Sequence, residues 1–305
     1  MSQTGVLPFL RGIDFTKYNF SNKNHPKLLL EMERLRWIKL NNTDINNLPI
    51  DLFDLKKLEH LQIKNNNLIA LREELVDLNC LRVLNARKNH IKNENIPPNL
   101  NKLQDLSVLD LSFNDLNEFP LNLEEIKALS VLNLSHNKIV SVPSYVFINL
   151  TDLVYLDLSS NKIEILPPQL KRLRHLKTLI LNDNPLMHAQ LRQIPSLVSL
   201  ETLHLRNTQR TLTNIPHGLE NLLNLKDLDL SCNGLNIIPD TVYKIKNLQR
   251  FDFSNNQLSE LSYFIGEMEE LRTLNLSRNK LLSISNALCK LTKLKKLYVN
   301  SNFLR

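Results

Sequence analysis

Two carboxylates at a fixed spacing are the best candidates in this chain for acid–base chemistry. Asp229 and Asp252 are 23 residues apart, and each lies between two apolar residues. If they belong to neighbouring parallel strands, their carboxyl groups lie about 5 Å apart, the separation found in retaining glycosidases. The alternative is an acidic stripe on an open face, solvated or bound to a partner. We favour the stripe, because nothing in the sequence predicts a wall that would exclude water.

Other motifs of enzymes and cofactor sites are missing from the sequence. The chain has five glycines, placed so that neither glycine-rich phosphate-binding loop can form. It contains no G-x-S-x-G or H-E-x-x-H motif, and its histidines and cysteines are not spaced as zinc ligands. The three cysteines, Cys80, Cys232 and Cys289, are far apart, which is typical of a reducing compartment. We therefore expect no enzyme activity, no metal, no cofactor and no small-molecule substrate.

A repeated pattern must position any functional residue in this chain. The stretch from Leu153 to Ile163 reads L-x-x-L-x-L-x-x-N-x-I, the signature of a leucine-rich repeat. Leu156 and Leu158 alternate as in a strand, so both point to one face, and the residues beside them point to solvent. The pattern returns every 23 to 25 residues, and it begins at Leu10, Leu35, Leu58, Leu81, Leu106, Leu129, Leu153, Leu176, Leu200, Leu225, Leu248, Leu271 and Leu294.

An asparagine follows most of the predicted strands, at the point where the chain must turn. Its amide can bond backbone groups that would otherwise be buried unpaired. These structural asparagines are Asn66, Asn89, Asn114, Asn137, Asn161, Asn184, Asn233, Asn256, Asn279 and Asn302.

The second half of each repeat has apolar residues at steps of three and four, which predicts short helices or 3₁₀ turns. One coil cannot bury its own leucines, but stacked coils can. The sequence therefore predicts an α/β fold: a right-handed leucine-rich repeat solenoid with a concave parallel sheet and convex 3₁₀ or short-helix segments.

The unbroken period predicts a single repeat domain over residues 1–305. Residues 1–34 form an atypical N-terminal coil, about 12 further coils follow from residue 35, and the coil at 294–305 lacks its second half. We expect the chain to be truncated from a longer protein. No run of about 18 apolar residues exists, so no membrane span is expected, and the first residues do not resemble a signal peptide.

The coil that begins at Leu200 departs from the pattern. Thr208 stands at the asparagine position, and Arg210 stands where Leu or Ile belongs. Because burying an unpaired charge is costly, we expect the backbone there to deviate and Arg210 to reach solvent or a carboxylate. Two coils carry extra residues, at 93–95 and 211–214, which we expect in turns outside the strands.

The solvent-facing strand positions predict a protein-binding surface, since aromatic and apolar groups among polar ones are typical of interfaces. A basic cluster of Lys290, Lys293, Lys295 and Lys296 has only Tyr298 near it, so it is a weak indication of nucleic-acid binding. The candidate partner-binding residues are Trp37, Lys39, His60, Gln62, Asp110, Asn133, Tyr155, Asp157, His204, Asp227, Asp229, Arg250, Asp252 and Tyr298.

Several segments go beyond the generic repeat, among them residues 5–15, 150–153, 191–195, 207–211 and 289–298. Together they resemble the N-terminal leucine-rich repeat region of the flightless proteins, which belong to the gelsolin family. The resemblance covers essentially the whole chain, including the irregular coil at Leu200.

The resemblance implies a scaffold for protein–protein interaction in a regulator of the actin cytoskeleton. It implies coiled-coil proteins and small GTPases of the Ras type as partners, and a cytoplasmic, cytoskeletal or nuclear location. Actin binding would belong to gelsolin-like repeats that this chain does not contain. The alternatives are a repeat scaffold for a Ras–phosphatase assembly and, with less support, an enzyme or a nucleic-acid binder that uses the concave face.

Overall fold

The computed structural model describes residues 7–20, 29, 31–186, 191–212 and 214–305. The chain divides into two compact units. Unit 1 comprises Met1–Ile139 and Tyr145–Leu153, and unit 2 comprises Val140–Ser144 and Val154–Arg305. The single domain over 1–305, with an atypical first coil and an incomplete last one, stays a prediction.

Short parallel strands form one layer in each unit. Unit 1 contains β1 (Gly12–Asp14), β2 (Trp37–Lys39), β3 (His60–Gln62), β4 (Val83–Asn85), β5 (Val108–Asp110) and β6 (Val131–Asn133). Unit 2 contains β7 (Tyr155–Asp157), β8 (Thr178–Ile180), β9 (Thr202–His204), β10 (Asp227–Asp229), β11 (Arg250–Asp252), β12 (Thr273–Asn275) and β13 (Lys296–Tyr298).

Within each unit the strands pair in order along the chain and in one register. Leu203 pairs with Leu228, and Leu228 pairs with Phe251, so central residues meet central residues. Leu156, Leu203 and Leu228 have no exposed surface. Since side chains alternate along a strand, the first and third residues of each strand point away from this core.

A short helical segment follows each strand from β2 to β12. In unit 1 the 3₁₀ segments are Leu7–Phe9, Ile50–Asp54, Glu73–Asp77, Asn93–Asn95, Leu100–Lys102 and Leu123–Glu125, with α1 at Val146–Asn149. In unit 2 they are Pro168–Arg172, Ile194–Ser196, Leu219–Asn221, Tyr263–Glu267 and Asn286–Lys290, with α2 at Asp240–Tyr243.

The spacing of leucines explains why most of these segments are 3₁₀ helices. Leu170, Leu173 and Leu176 are fully buried and three residues apart, which matches the three residues per turn of a 3₁₀ helix. The N–H of Leu173 donates to the carbonyl of Leu170 at 3.1 Å, closing such a turn. The predicted α/β leucine-rich repeat solenoid is confirmed.

The structural asparagines bond backbone groups within and between coils. Asn256 Nδ2 donates to the carbonyls of Leu230, at 3.0 Å, and Phe253, at 3.1 Å. Its Oδ1 accepts from the N–H groups of Asn233 and Leu235, each at 3.0 Å. Equivalent bonds from the side-chain amide to strand-end carbonyls are made by Asn66, Asn89, Asn114, Asn137, Asn161, Asn184, Asn233, Asn279 and Asn302.

The prediction that Arg210 reaches solvent or a carboxylate is wrong. Arg210 is 1% exposed, and burial lowers the pKa of its guanidinium to about 10. The guanidinium donates to the carbonyls of Thr208, Asn214 and Leu186. Five N–H donors in one plane allow a buried arginine to pair with backbone carbonyls in place of an acid.

The turn of this coil has two left-handed residues, Asn207 with a φ of 48° and Gln209 with a φ of 56°. Most coils have one, but the same pair occurs at Asn42 and Asp44 and at Cys232 and Gly234, so the predicted backbone deviation is shared with two other coils. The insertion at 93–95 forms the 3₁₀ segment Asn93–Asn95, which lies after strand β4. Part of the second insertion, Thr213, lies outside the described residues.

Candidate partner-binding face

We call the surface made by the first and third residues of the strands the strand face, and each unit has its own. All the candidate residues lie on it. Unit 1 carries Trp37, Lys39, His60, Gln62, Asp110 and Asn133. Unit 2 carries Tyr155, Asp157, His204, Asp227, Asp229, Arg250, Asp252 and Tyr298.

Trp37 is the large aromatic on the strand face of unit 1. Its side chain is 39% exposed, and Lys39 Nζ lies 5.5 Å from the ring centroid. Lys39 also pairs with Asp14 at 3.3 Å. The indole lies over Gly12 of the neighbouring strand, where an added Cβ would stand 1.8 Å from the ring. A glycine at this position therefore lets Trp37 lie against the sheet while one side of the ring remains accessible.

The third strand position has a structural role that the sequence analysis did not identify. Asp157 Oδ1 accepts hydrogen bonds from the N–H and the hydroxyl of Ser159, at 2.9 and 2.6 Å. Asp110 and Asp252 bond the serine two residues later in the same way. These are Asx turns, which end the strand. The recurring D-x-S and N-x-S sequences were the signal. Asp157 is also only 9% exposed.

Charged side chains come together on the strand face of unit 2. Asp227 lies between His204, whose Nε2 is 3.5 Å from Oδ1, and Arg250, whose Nε donates to Oδ2 at 2.8 Å. Burial alone would raise the pKa of Asp227, but His204 and Arg250 lower it overall. Burial alone would lower the pKa of His204, but Asp227 raises it overall, with a contribution from Asp229.

The pair Asp229 and Asp252 belongs to the same cluster and lines a cleft of about 210 Å³. Burial raises the pKa of Asp229, and the charge of Asp252 adds to the shift. Asp252 is engaged on both oxygens, because Oδ1 holds Ser254 and Oδ2 accepts from Asn275 at 2.8 Å. This bonding suits a structural or partner-binding role for the pair.

Stability should depend on pH through His204. Because its folded pKa lies above the unfolded value of 6.5, the stability it contributes is fully present below that value and is lost as pH rises through the folded pKa. We expect His204→Gln to flatten this part of the curve. Urea unfolding of both proteins from pH 5 to pH 9 measures it, with the exposed His60→Gln as control. Equal slopes for wild type and His204→Gln would contradict the assignment.

A stack of three side chains lies beside the strand face of unit 1, and the sequence analysis did not identify it. The rings of Phe113 and His136 are nearly parallel, with centroids 3.8 Å apart and an angle of 16°. Arg87 lies over Phe113, with its Cζ 4.5 Å from the ring centroid. The available signal was a phenylalanine directly before Asn114, where other repeats have polar or small residues.

In the described part of the chain, no group of three or more His, Cys, Asp or Glu side chains is placed to hold a metal ion. Nor does this part of the chain contain a helix with the length and hydropathy that a membrane span requires.

Family models and solved structures of known proteins also match this chain as a leucine-rich repeat protein. A family model described as a leucine-rich repeat region matches residues 1–138 and 160–303, and a second, described as a leucine rich repeat, matches residues 127–186. Among solved structures, a leucine-rich repeat protein of Leptospira interrogans aligns with a TM-score of 0.77 at 26% identity, over 99% of this chain and 86% of its own.

Sequence relatives show which type of leucine-rich repeat protein this chain resembles. The flightless-1 homologues of Danio rerio and Homo sapiens are each 56% identical over 240 residues, or 79% of this chain. The alignment spans 19% of the length of these relatives. The chain belongs to the leucine-rich repeat family, as a leucine-rich repeat region of the flightless type.

Proposed function

We propose that this chain is a non-enzymatic scaffold for protein–protein interaction whose strand faces contact the partner. One observation carries the proposal: consecutive strands pair in register, so their first and third side chains line up while the central ones are buried. The result is a polar surface with aromatic anchors such as Trp37 and Tyr298, which are 39% and 45% exposed. Such anchors carry much of the energy of protein interfaces.

The flightless relatives support a narrower form of this proposal. The chain acts within a regulator of the actin cytoskeleton, in the cytoplasm and the nucleus, with coiled-coil proteins or Ras-type GTPases as partners. The proposal places actin binding in gelsolin-like repeats and assigns it to none of these residues.

A pair of substitutions on β7 tests the strand face of unit 2. We expect Tyr155→Ala with Asp157→Asn to weaken partner binding about tenfold, the loss of one interface anchor. Asparagine keeps the turn, because Asn133 and Asn275 each accept from the N–H of the serine two residues later, at 3.0 and 3.1 Å. Proteins captured by the chain from cell extract would be purified, and their affinities measured by surface plasmon resonance.

Lys171→Ala is the matched control, because this exposed residue lies in the 3₁₀ segment Pro168–Arg172 and not on the strand face. Thermal unfolding should show that both variants keep the wild-type fold. If every captured protein binds the double variant as tightly as the control, the strand face of unit 2 is not the binding surface.

A further inference from the structure

The turns that follow strands β3 to β6 form one edge of unit 1, which we call the turn edge. It contains Lys64, Arg87, Lys88, Phe113 and His136. We propose that the turn edge binds an acidic peptide segment of a partner protein, through the three cationic side chains and the aromatic stack that holds one of them. The inference rests on the proposed function and names the chemistry of the partner.

The stack fixes the position of Arg87. One face of the Phe113 ring carries Arg87 at 4.5 Å, and His136 lies parallel to the ring with centroids 3.8 Å apart. A guanidinium that lies on an aromatic ring keeps its N–H edge free for carboxylates. The contact with the ring orders the guanidinium of Arg87 before any ligand arrives, which reduces the entropy lost on binding. Arg87 is exposed, so a ligand can reach these donors.

Phe113 occupies a backbone position that does not suit it. Its φ is 55°, in the left-handed region that bulky residues avoid. The same position in other coils has a left-handed φ too, but it holds Lys17, Asn42, Asn65, Lys88, His136, Ser160, Asp183, Asn207, Cys232, Asn255, Arg278 or Ser301. Strain of this kind is found at functional sites, and it points to a role for the ring.

The charges on the turn edge are unbalanced. Lys64, Arg87 and Lys88 form no ion pair with any carboxylate in the described part of the chain. Nearby Lys138, in contrast, is neutralised by Asp115 at 2.6 Å. The corresponding turn residues of unit 2 are mostly uncharged: Ser159, Ser160, Asn182, Asp183, Arg206, Asn207, Ser231, Cys232, Ser254, Asn255, Ser277 and Arg278. The turn edge of unit 1 therefore attracts negative charge, and that of unit 2 provides a control.

The geometry favours an acidic peptide over a single-stranded nucleic acid. Nucleic-acid bases bind proteins by stacking on open aromatic faces. Phe113 is already stacked against Arg87 and His136, so it offers a base little free face. Carboxylates need only the N–H groups of arginine and lysine. An extended peptide places every second side chain on one side, about 6.6 to 6.8 Å apart, within the reach of long cationic side chains on successive turns.

Fluorescence anisotropy of a labelled ten-residue peptide of alternating Glu and Val tests the inference. The full chain should bind it, and binding should weaken as NaCl rises from 50 to 300 mM because salt screens the charges. A peptide with Gln in place of Glu should bind at least tenfold more weakly. Arg87→Ala with Lys88→Ala should lower the affinity for the acidic peptide at least tenfold.

Phe113→Asn separates the role of the ring from its effect on folding. Asparagine accepts a left-handed φ, so this variant should fold with equal or greater resistance to urea. Without the ring Arg87 loses its support, and the affinity should fall about two- to fivefold, the size of one exposed cation–π contact. Arg278→Asn at the same position of unit 2, where φ is 54°, should leave the affinity unchanged.

Three results would each overturn the inference: no binding of the acidic peptide, equal binding of its glutamine form, or tighter binding of a 20-nucleotide poly-dT that responds to the same variants. The pair Tyr155→Ala with Asp157→Asn lies in unit 2 and should bind the peptide normally. If this variant no longer captures partners but still binds the peptide, the result supports the strand-face proposal and leaves the turn-edge proposal intact. The two proposals are therefore tested separately. Conversely, failure of the peptide experiment leaves the strand-face proposal standing.

Discussion

Replacing Asn184 with alanine is expected to destabilise the chain by about 2–6 kcal/mol, because two buried backbone groups are left unpaired and each costs about 1–3 kcal/mol. Asn184 is 1% exposed, and its Nδ2 donates to the carbonyls of Leu158 and Leu181 at 2.9 and 3.0 Å. Its Oδ1 accepts from the N–H of Ile163 at 3.0 Å. Alanine leaves the Leu181 carbonyl and the Ile163 N–H unpaired, whereas the Leu158 carbonyl keeps its bond from Asn161 Nδ2 at 3.0 Å. Urea unfolding followed by circular dichroism measures the loss.

Threonine at this position provides a graded control. In the coil at Leu200 Thr208 replaces the asparagine, and its hydroxyl donates to the carbonyl of Leu205 at 2.7 Å. That carbonyl also accepts from Asn233 of the next coil at 2.8 Å. Asn184→Thr should therefore lose roughly half as much stability as Asn184→Ala. Equal losses would mean that the threonine hydroxyl does not replace the bond to the Leu181 carbonyl, and would contradict the graded role of hydrogen bonding.

The leucine period was sufficient to predict the strands, their core and the asparagine bonds. Each of these depends on contacts that recur identically from coil to coil, such as Leu203 against Leu228 and Asn256 with Leu230. A repeat makes non-local contacts predictable, because a neighbour in space is always the residue one period away. The sequence therefore predicts those contacts that recur with the period of the repeat.

Single-coil features could not be predicted from the period. Phe113 stacks on His136 because both left-handed residues place their side chains on the same edge, a direction that depends on the turn conformation and not on the leucines. The Asx turns depend on local hydrogen bonding. The carboxylate of Asp157 can accept from water or from the N–H of Ser159, and it accepts from Ser159 at 2.9 Å. Some side chains that strand alternation assigns to a binding face therefore also form hydrogen bonds that stabilise the fold.

Arg210 shows how the general cost of a buried charge led to a wrong expectation. The rule assumes that a cation needs an anion or water, but backbone carbonyls also carry partial negative charge and are abundant where a turn is irregular. Thr208 and Asn214 offer such carbonyls to the guanidinium within the same coil. An irregular turn and a misplaced arginine therefore belong together: the arginine satisfies the carbonyls that the turn leaves unpaired.

If that is correct, Arg210→Met should destabilise the chain although it removes a buried charge. Loss of the charge removes a desolvation cost and favours the variant. The carbonyls of Thr208 and Leu186 are then left without their donor, at about 1–3 kcal/mol each. We expect the second effect to win and the free energy of unfolding to fall by about 2–4 kcal/mol.

Urea unfolding of Arg210→Met and Arg210→Lys beside the exposed Arg206→Met checks the balance between the two effects. The control should change stability by less than about 0.5 kcal/mol, as surface substitutions usually do. Lysine keeps the charge but cannot reproduce the planar set of donors, so Arg210→Lys should also be destabilised. A methionine variant as stable as the wild type would show that the desolvation of Arg210 costs as much as its hydrogen bonds contribute, and that the turn holds its shape without them.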